Sequence, residues 1–296
     1  MPEIKVGLIG GSGLGEALGG QTNGTRHELD TPFGKPSDAI IETEWAGLPV
    51  LFLSRHGPGH LINPTRVPFR ANIFALKQLG CTHILASGAV GSLREEFKPR
   101  DLVIPEQVID KTTQRQGTFY ENAAVHVEFA EPFCPVLRRI VLDAATGGAL
   151  TVHNRGCYVC MEGPAFSTRA ESLMHRVWGG DLIGMTAMPE AKLAKEAEIS
   201  YALIALVTDF DSWRVPASPV ADPTALLTEI IGNLRAASDN GIALMKRAVE
   251  LMATRRDELM SAPAQQALKL AIWSDKSRID PAEVQRLSPL WMRYFQ

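Results

Sequence analysis

Apolar residues in this chain follow two rhythms. Short unbroken apolar runs alternate with stretches where apolar side chains return every three or four residues, the marks of buried strands and of amphipathic helices. Residues 4–9 make a first strand, followed by Gly10-Gly11-Ser12-Gly13-Leu14-Gly15. Residues 38–42 and 50–53 predict adjacent strands, with Gly47 and Pro49 marking the turn. Phe69, Ile73, Leu76 and Leu79 predict a helix that Gly80 ends. A strand over 83–86 runs into small residues at 87–92, and two short strands flank Pro105. Helices follow over 136–145 and 168–177, with a strand over 157–160 between them.

The most informative stretch runs from Leu182 to Trp213. It predicts a strand end, a glycine turn at Gly184 and a helix opening at Pro189 and Glu190. Proline loses nothing in a first turn, and an acid there meets the positive end of the helix dipole. Residues 201–207 are continuously apolar, as in a strand buried on both faces. Beyond 222, Asp222 caps and Pro223 opens a long helical segment, with Leu227, Ile231, Leu234, Met245 and Val249 along a broken apolar face. A polar break at 255–257, a further helix over 264–273 and an aromatic-rich tail ending at 290–295 complete the chain. Strands alternating with helices in this way predict an α/β protein, and 296 residues suffice for one large domain or two smaller ones.

In an open α/β sheet, ligands sit beyond the carboxyl ends of the strands. Thr208, Asp209 and Asp211 lie at such an end and form the first candidate site. Ser54-Arg55-His56-Gly57 ends another strand; an arginine fork and a histidine there suit an oxyanion. The glycines at 10–15 let a backbone approach an anion. Their spacing fails the dinucleotide fingerprint, because Glu16 falls where a third glycine belongs, and no Gly-Lys-Ser/Thr follows to make a P-loop. His56 and His60 are separated by Gly-Pro-Gly, and Cys157 and Cys160 lie within a strand, where their thiols point to opposite faces. Neither pair predicts a metal site. His126, read alone, is a surface histidine.

Charge changes the picture little. The formal net charge is −3, which gives no reason to expect nucleic acid or an acidic membrane as partner. Four scattered cysteines form no disulfide framework, and residues 1–9 read as a strand rather than a signal peptide. A cytoplasmic location is the expectation.

Several motifs then carry a resemblance. Gly10-Gly11-Ser12-Gly13-Leu14, Thr31-Pro32-Phe33-Gly34-Lys35-Pro36-Ser37-Asp38, Ser54-Arg55-His56-Gly57, Gly91-Ser92-Leu93-Arg94-Glu95-Glu96, Ala130-Glu131-Pro132-Phe133-Cys134-Pro135, Glu162-Gly163-Pro164, Arg169-Ala170-Glu171-Ser172 and Gly184-Met185-Thr186 together resemble the 5′-methylthioadenosine phosphorylases of the trimeric purine nucleoside phosphorylase superfamily. The likeness runs in order from about Lys5 to about Trp213 and fades after Asp222. It implies an α/β single-domain fold with a mixed central sheet flanked by helices, a phosphorylase domain over 1–254 and a helical extension of that domain over 255–296. It implies a homotrimer, no metal or organic cofactor, and phosphorolysis of methylthioadenosine to adenine and methylthioribose 1-phosphate. By carry-over, phosphate lies among Ser12, Arg55, His56, Gly88, Ala89 and Thr186. Met185 supports the ribose, Phe166 stacks on the base, Ser167, Asp209 and Asp211 face the purine, and His126 reaches a neighbouring subunit's 5′-tail pocket. Serine stands at 12 where threonine is more usual, Gly88 replaces a threonine of some relatives, and Gly184 replaces an asparagine for no reason visible in the sequence.

The residues make chemical sense of this. Breaking a purine glycosidic bond builds positive charge on the ribose, which phosphate beneath the sugar stabilises and then captures. The departing base needs a proton at N7, and a buried carboxyl beside a second carboxylate can hold one near neutral pH. Asp209, with Asp211 close by, is the expected acid. Other readings are a 6-oxopurine or adenosine phosphorylase on the same fold, a nucleosidase using water, and a non-catalytic nucleotide- or NAD-binding domain. The 6-oxopurine branch carries asparagine and glutamate at the positions of Asp209 and Ser167. Asp222, if it faces the ligand instead of only capping a helix, would favour a 5′-hydroxyl over a methylthio group.

Overall fold

The computed structural model describes residues 3–11, 24–148, 150–214 and 223–295; Ser12 and Asp222 lie outside them. Among the described residues the strands are β1 (Val6–Gly10), β2 (Thr25–His27), β3 (Ile40–Trp45), β4 (Leu48–Ser54), β5 (His83–Ser92), β6 (Leu102–Val103), β7 (Gln107–Asp110), β8 (Val152–His153), β9 (Cys157–Cys160), β10 (Leu182–Gly184) and β11 (Ser200–Phe210). The α-helices are α1 (Phe69–Gln78), α2 (Pro135–Ala145), α3 (Arg169–Val177), α4 (Ala187–Glu196), α5 (Pro223–Thr254), α6 (Arg256–Met260), α7 (Pro281–Arg286) and α8 (Ser288–Trp291). The strands form one mixed sheet, in the order β2-β3-β4-β1-β5-β10-β9-β7, with β11, β6 and β8 branching from β5.

Strand β5 decides where a ligand can go. One edge pairs with β11 along its whole length, from His83 opposite Ser200 to Ser92 opposite Phe210. The other edge is shared. Parallel β1 covers 83–86, and antiparallel β10 covers only Gly91 and Ser92. Residues 87–90 thus face a gap between the end of β1 and the end of β10. Small residues belong there because chain ends converge on that backbone.

Both sheet faces are covered. Successive residues alternate between two cores, as a period of two requires. Ile84 and Leu203 pack with Phe74 and Leu193 on the α1 and α4 side, whereas Leu85 and Ile204 pack with Leu137 and Leu244 on the α2 and α5 side. The tail docks on the first of these faces. Trp291 is fully buried with its ring 4.8 Å from Tyr120, and buried Glu198 accepts hydrogen bonds from Arg293, Tyr294 Oη and the Leu268 amide.

Several expectations need correction. Pro49 lies inside β4 opposite Glu44, and the turn is Ala46-Gly47, both at positive φ, the two-residue connection whose twist suits a hairpin. Strand β5 continues through the small residues to Ser92. Strand β11 runs past Val207 to Phe210, so Asp209 sits within the strand and not beyond its end. Residues 264–273 form no α-helix. A 3-10 turn over Pro263–Gln266 leads into further turns closed between residues three apart, which bury Leu268 and Ala271. Ile231 is exposed on α5, off its apolar face. No helix among the described residues is long and apolar enough to cross a membrane.

Candidate active site

The gap beside β5 is lined by the end of β1, the end of β4 and the turn after β10. A Cβ on Gly11 would come 2.8 Å from Arg55 Nη1 and 3.2 Å from the Ser87 carbonyl oxygen; one on Gly88 would come 3.3 Å from Thr186 Oγ1. Gly11 therefore neighbours Arg55 and the Gly88 backbone, Gly88 neighbours Thr186, and Ala89 follows, half-buried. The sequence expectation is that Arg55, Gly88, Ala89 and Thr186 meet around an anion with Ser12 and His56.

Arg55 is held differently from the expected free fork. It is fully buried, and Nε and Nη2 each donate to a carboxylate oxygen of Glu190 at 2.8 Å, while Nη1 donates to the Ser87 carbonyl at 2.8 Å. Tyr201 Oη also donates to Glu190, at 2.8 Å. Burial opposes the guanidinium charge, but the Glu190 carboxylate outweighs it and holds the Arg55 pKa above its ordinary value. Two N–H groups of the five remain for an anion. Sequence reasoning placed Glu190 only as a helix-opening acid; the missed signal was that a buried arginine requires a buried carboxylate.

His56 is neutral at rest. Burial first, then neighbouring Arg55, pushes its pKa down to about 4. Its Nδ1 lies 2.7 Å from the Ile62 carbonyl, which can only accept, so Nδ1 carries the proton and Nε2 is left as an acceptor. The His60 ring stacks on it at 4.2 Å. Among the described residues no group of three or more His, Cys, Asp or Glu side chains could hold a metal ion.

The acidic end of the site lies farther along β5. The register of β11 shifts between Val207 and Asp209, opposite Val90 and Gly91, so Thr208 is the extra residue of a bulge, a device that re-aims a side chain next to a site. Thr208 Oγ1 lies 2.5 Å from Asp209 Oδ1 and 3.2 Å from the Val90 carbonyl oxygen. One hydroxyl proton cannot serve both. When it goes to Val90, the short contact is satisfied by a protonated Asp209. Burial raises the Asp209 pKa; the Thr208 hydrogen bond opposes this and the Asp211 charge adds to it. Asp211 is buried, its amide donates to the Ser92 carbonyl at 2.9 Å, and its Oδ2 has no partner among the described residues. Gly88 and Gly91 are three residues apart on β5, or about 10 Å, which separates the glycine-lined gap from the acidic end.

Ser167 closes the acid end. It is buried with Oγ 3.7 Å from Met161 Sδ, and its carbonyl accepts from Ser212 Oγ at 2.8 Å. Phe166 beside it is 84% exposed. Met185 packs against the Gly163 backbone, so tightly that a Cβ there would meet Sδ at 2.5 Å. Arg115, which the sequence did not single out, ties these loops together. It pairs with Glu162 at 2.9 Å and donates to the carbonyls of Met185, Met188 and Glu162. Burial works against the Glu162 charge, but amide donors from Thr113 and Gln114 and the Arg115 guanidinium bring its pKa down to about 2. His126 lies apart from these groups. It is exposed, edge-on to Trp273 at 4.7 Å.

The structure also explains Gly184. A Cβ there would fall on the Tyr158 hydroxyl and 2.6 Å from Cζ, so the buried phenol fills the space a side chain would need. Its oxygen accepts from the Thr186 amide at 3.4 Å. Gly184→Ala is expected to destabilise the fold by about 1–3 kcal/mol through overpacking and to displace Thr186. Adding Tyr158→Leu should recover much of that loss in thermal unfolding. A Gly184→Ala protein as stable as the parent would contradict the assigned packing.

The chain is similar to known proteins in both sequence and structure. The sequence model of the phosphorylase superfamily matches residues 5–250. The S-methyl-5′-thioadenosine phosphorylase of Chloroflexus aurantiacus is 46% identical over 297 residues, covering 100% of each chain. A crystal structure of methylthioadenosine phosphorylase from an antarctic soil metagenomic library superposes with a TM-score of 0.85 at 43% identity, over 98% of this chain and 99% of that one. The methylthioadenosine phosphorylase of Schistosoma mansoni, in complex with adenine, gives 0.82 at 36% identity, over 92% of this chain and 99% of that one.

Proposed function

The chain belongs to the S-methyl-5′-thioadenosine phosphorylase family of the phosphorylase superfamily, and we propose that it cleaves methylthioadenosine with phosphate, using Asp209 as the acid. The observation that carries this reading is the pairing, along one strand, of a gap lined by Gly11, Arg55, Gly88 and Thr186 with the half-buried Asp209 carboxyl, whose pKa is raised. Phosphate in the gap lies beneath the sugar. The C1′–N9 bond breaks as a C1′–O bond to phosphate forms, and the Asp209 proton goes to N7 of the departing adenine. With Nδ1 tied to Ile62, His56 Nε2 accepts from a P–OH group. Ser12 adds a hydroxyl to the same anion, and Met185 supports the ribose. Phosphate is a co-substrate, and the chemistry calls for no organic cofactor.

Asp209 can donate to N7 while accepting from the adenine N6 amino group, and Ser167 brings no charge to the purine edge. A 6-oxopurine offers the opposite pattern, and buried unmatched polar groups discriminate strongly. The expected result is a kcat/KM for methylthioadenosine at least about 100-fold above that for inosine; comparable values would transfer the chain to the 6-oxopurine branch. Phe166, exposed as it stands, would turn inward to stack on the base.

The assembly belongs to the same proposal. We infer a homotrimer in which His126 reaches a neighbour's 5′-tail pocket. His126 shares its surface with Trp273 at 72% and Leu270 at 85% exposure, apolar area that a second copy would cover. Residues 255–296 count as an extension of the phosphorylase domain, a division supported by the buried Trp291 and the Glu198 contacts. A cytoplasmic setting agrees with the free cysteines Cys81, Cys134, Cys157 and Cys160.

A further inference from the structure

Behind the acid end lies a buried histidine that the mechanism above does not use. His175 stands near the end of α3, and Lys111 Nζ lies 2.8 Å from its Nε2. An ammonium group can only donate, so Nε2 accepts and the neutral ring carries its proton on Nδ1. That Nδ1 is buried and has no hydrogen-bond partner among the described residues. Asp211 Oδ2 is the complementary orphan, a buried acceptor with no donor among the described residues.

These groups share one neighbourhood. The Asp211 charge acts on His175, as do Lys111 from the segment after β7 and Glu171 from α3 itself. Burial first, then Lys111, lowers the His175 pKa, with Asp211 and Glu171 opposing, which agrees with a neutral ring. Helix α3 is also tied to the Asp211 loop. Ser172 Oγ accepts from the Trp213 amide at 3.0 Å, and Arg176 lies 3.7 Å over the Trp213 ring. At the opposite end of α3, Thr168 and Glu171 form a reciprocal cap, which fixes the helix and with it the ring.

We propose that His175 is a positioning residue for Asp211: Lys111 sets its tautomer, and its Nδ1–H hydrogen-bonds the Asp211 carboxylate in the purine-bound enzyme. That bond fixes the Asp211 rotamer and favours its ionised form, and an ionised Asp211 keeps the proton on Asp209. The proposal rests on the role given to Asp211 beside Asp209.

The test compares His175→Asn, whose amide can replace Nδ1–H, with His175→Phe, which cannot. Lys111→Met/His175→Phe serves where the single Phe variant fails to fold, because it also removes the ammonium left without an acceptor. For each folded variant, kcat, both KM values and the pH dependence of kcat/KM are measured with methylthioadenosine and phosphate. The Phe variants should lose about tenfold or more in kcat, keep the phosphate KM, and show the acid limb of the profile displaced to higher pH, since a carboxylate without its donor protonates more readily. The Asn variant should restore kcat and the limb. Equal losses in Asn and Phe variants with an unmoved acid limb would reduce His175 to packing and overturn the proposal. Asp211→Asn separates the two levels. If it is inactive while the Phe variants match wild type, the relay fails and the Asp211 assignment stands; if it matches wild type, both fall.

Discussion

Asp209→Asn is expected to lower kcat for methylthioadenosine by about 10²–10⁴-fold, the usual contribution of a positioned general acid. The amide cannot release a proton to N7, yet it can donate to the O6 of an oxopurine, so the ratio of inosine to methylthioadenosine turnover should rise. The pH profile carries the same information. Burial, opposed by Thr208 and reinforced by Asp211, raises the Asp209 pKa, so the active, protonated form persists above the ordinary carboxyl range and the rate falls as pH rises through that raised value. The Asn variant should lack this limb. A variant that retained both the limb and the adenine preference would remove Asp209 from the role of acid.

The second large effect concerns the ion pair beneath the phosphate gap. Glu190→Gln keeps the shape and an acceptor for Tyr201 but leaves the fully buried Arg55 without its counter-ion. Breaking one side of such a pair costs about 3–5 kcal/mol, which urea unfolding can resolve. Arg55→Met/Glu190→Gln removes both charges and should recover most of the loss, because a buried pair is often replaceable by apolar contact, while phosphate use stays impaired. An undiminished unfolding free energy in Glu190→Gln would show that the pair is not buried as described. Arg55 is held beside the gap by its bonds to Glu190 and the Ser87 carbonyl.

Much of this was legible in the sequence because the periodicities are strong. The apolar run at 201–207 and the glycine-rich ends of β1 and β5 were enough to find the central strands and the ends where they meet. The Ser54-Arg55-His56-Gly57 motif marked the strand end where Arg55 lies beside the gap. What stayed hidden depends on contacts between distant segments. Glu190 lies 135 residues from Arg55, and nothing local distinguishes it from an ordinary helix-opening acid. Gly184 looked like an unexplained loss until Tyr158, 26 positions earlier in the chain, proved to occupy its space. The bulge at Thr208 inserts one residue into an otherwise regular strand, and local propensity does not mark it. Residues 264–273 read as a helix by composition, but the Leu268 contact with Glu198 and the isolated bridge of Ile272 with Val125 favour successive tight turns.

The central claim is that phosphate, not water, takes the sugar from adenine. Adenine release from methylthioadenosine measured in phosphate-free buffer and then across a phosphate titration tests it most directly. The account predicts negligible release without phosphate, saturable release with it, and methylthioribose 1-phosphate formed in equal amount. Release at the same rate in both buffers, with free methylthioribose as product, would contradict it.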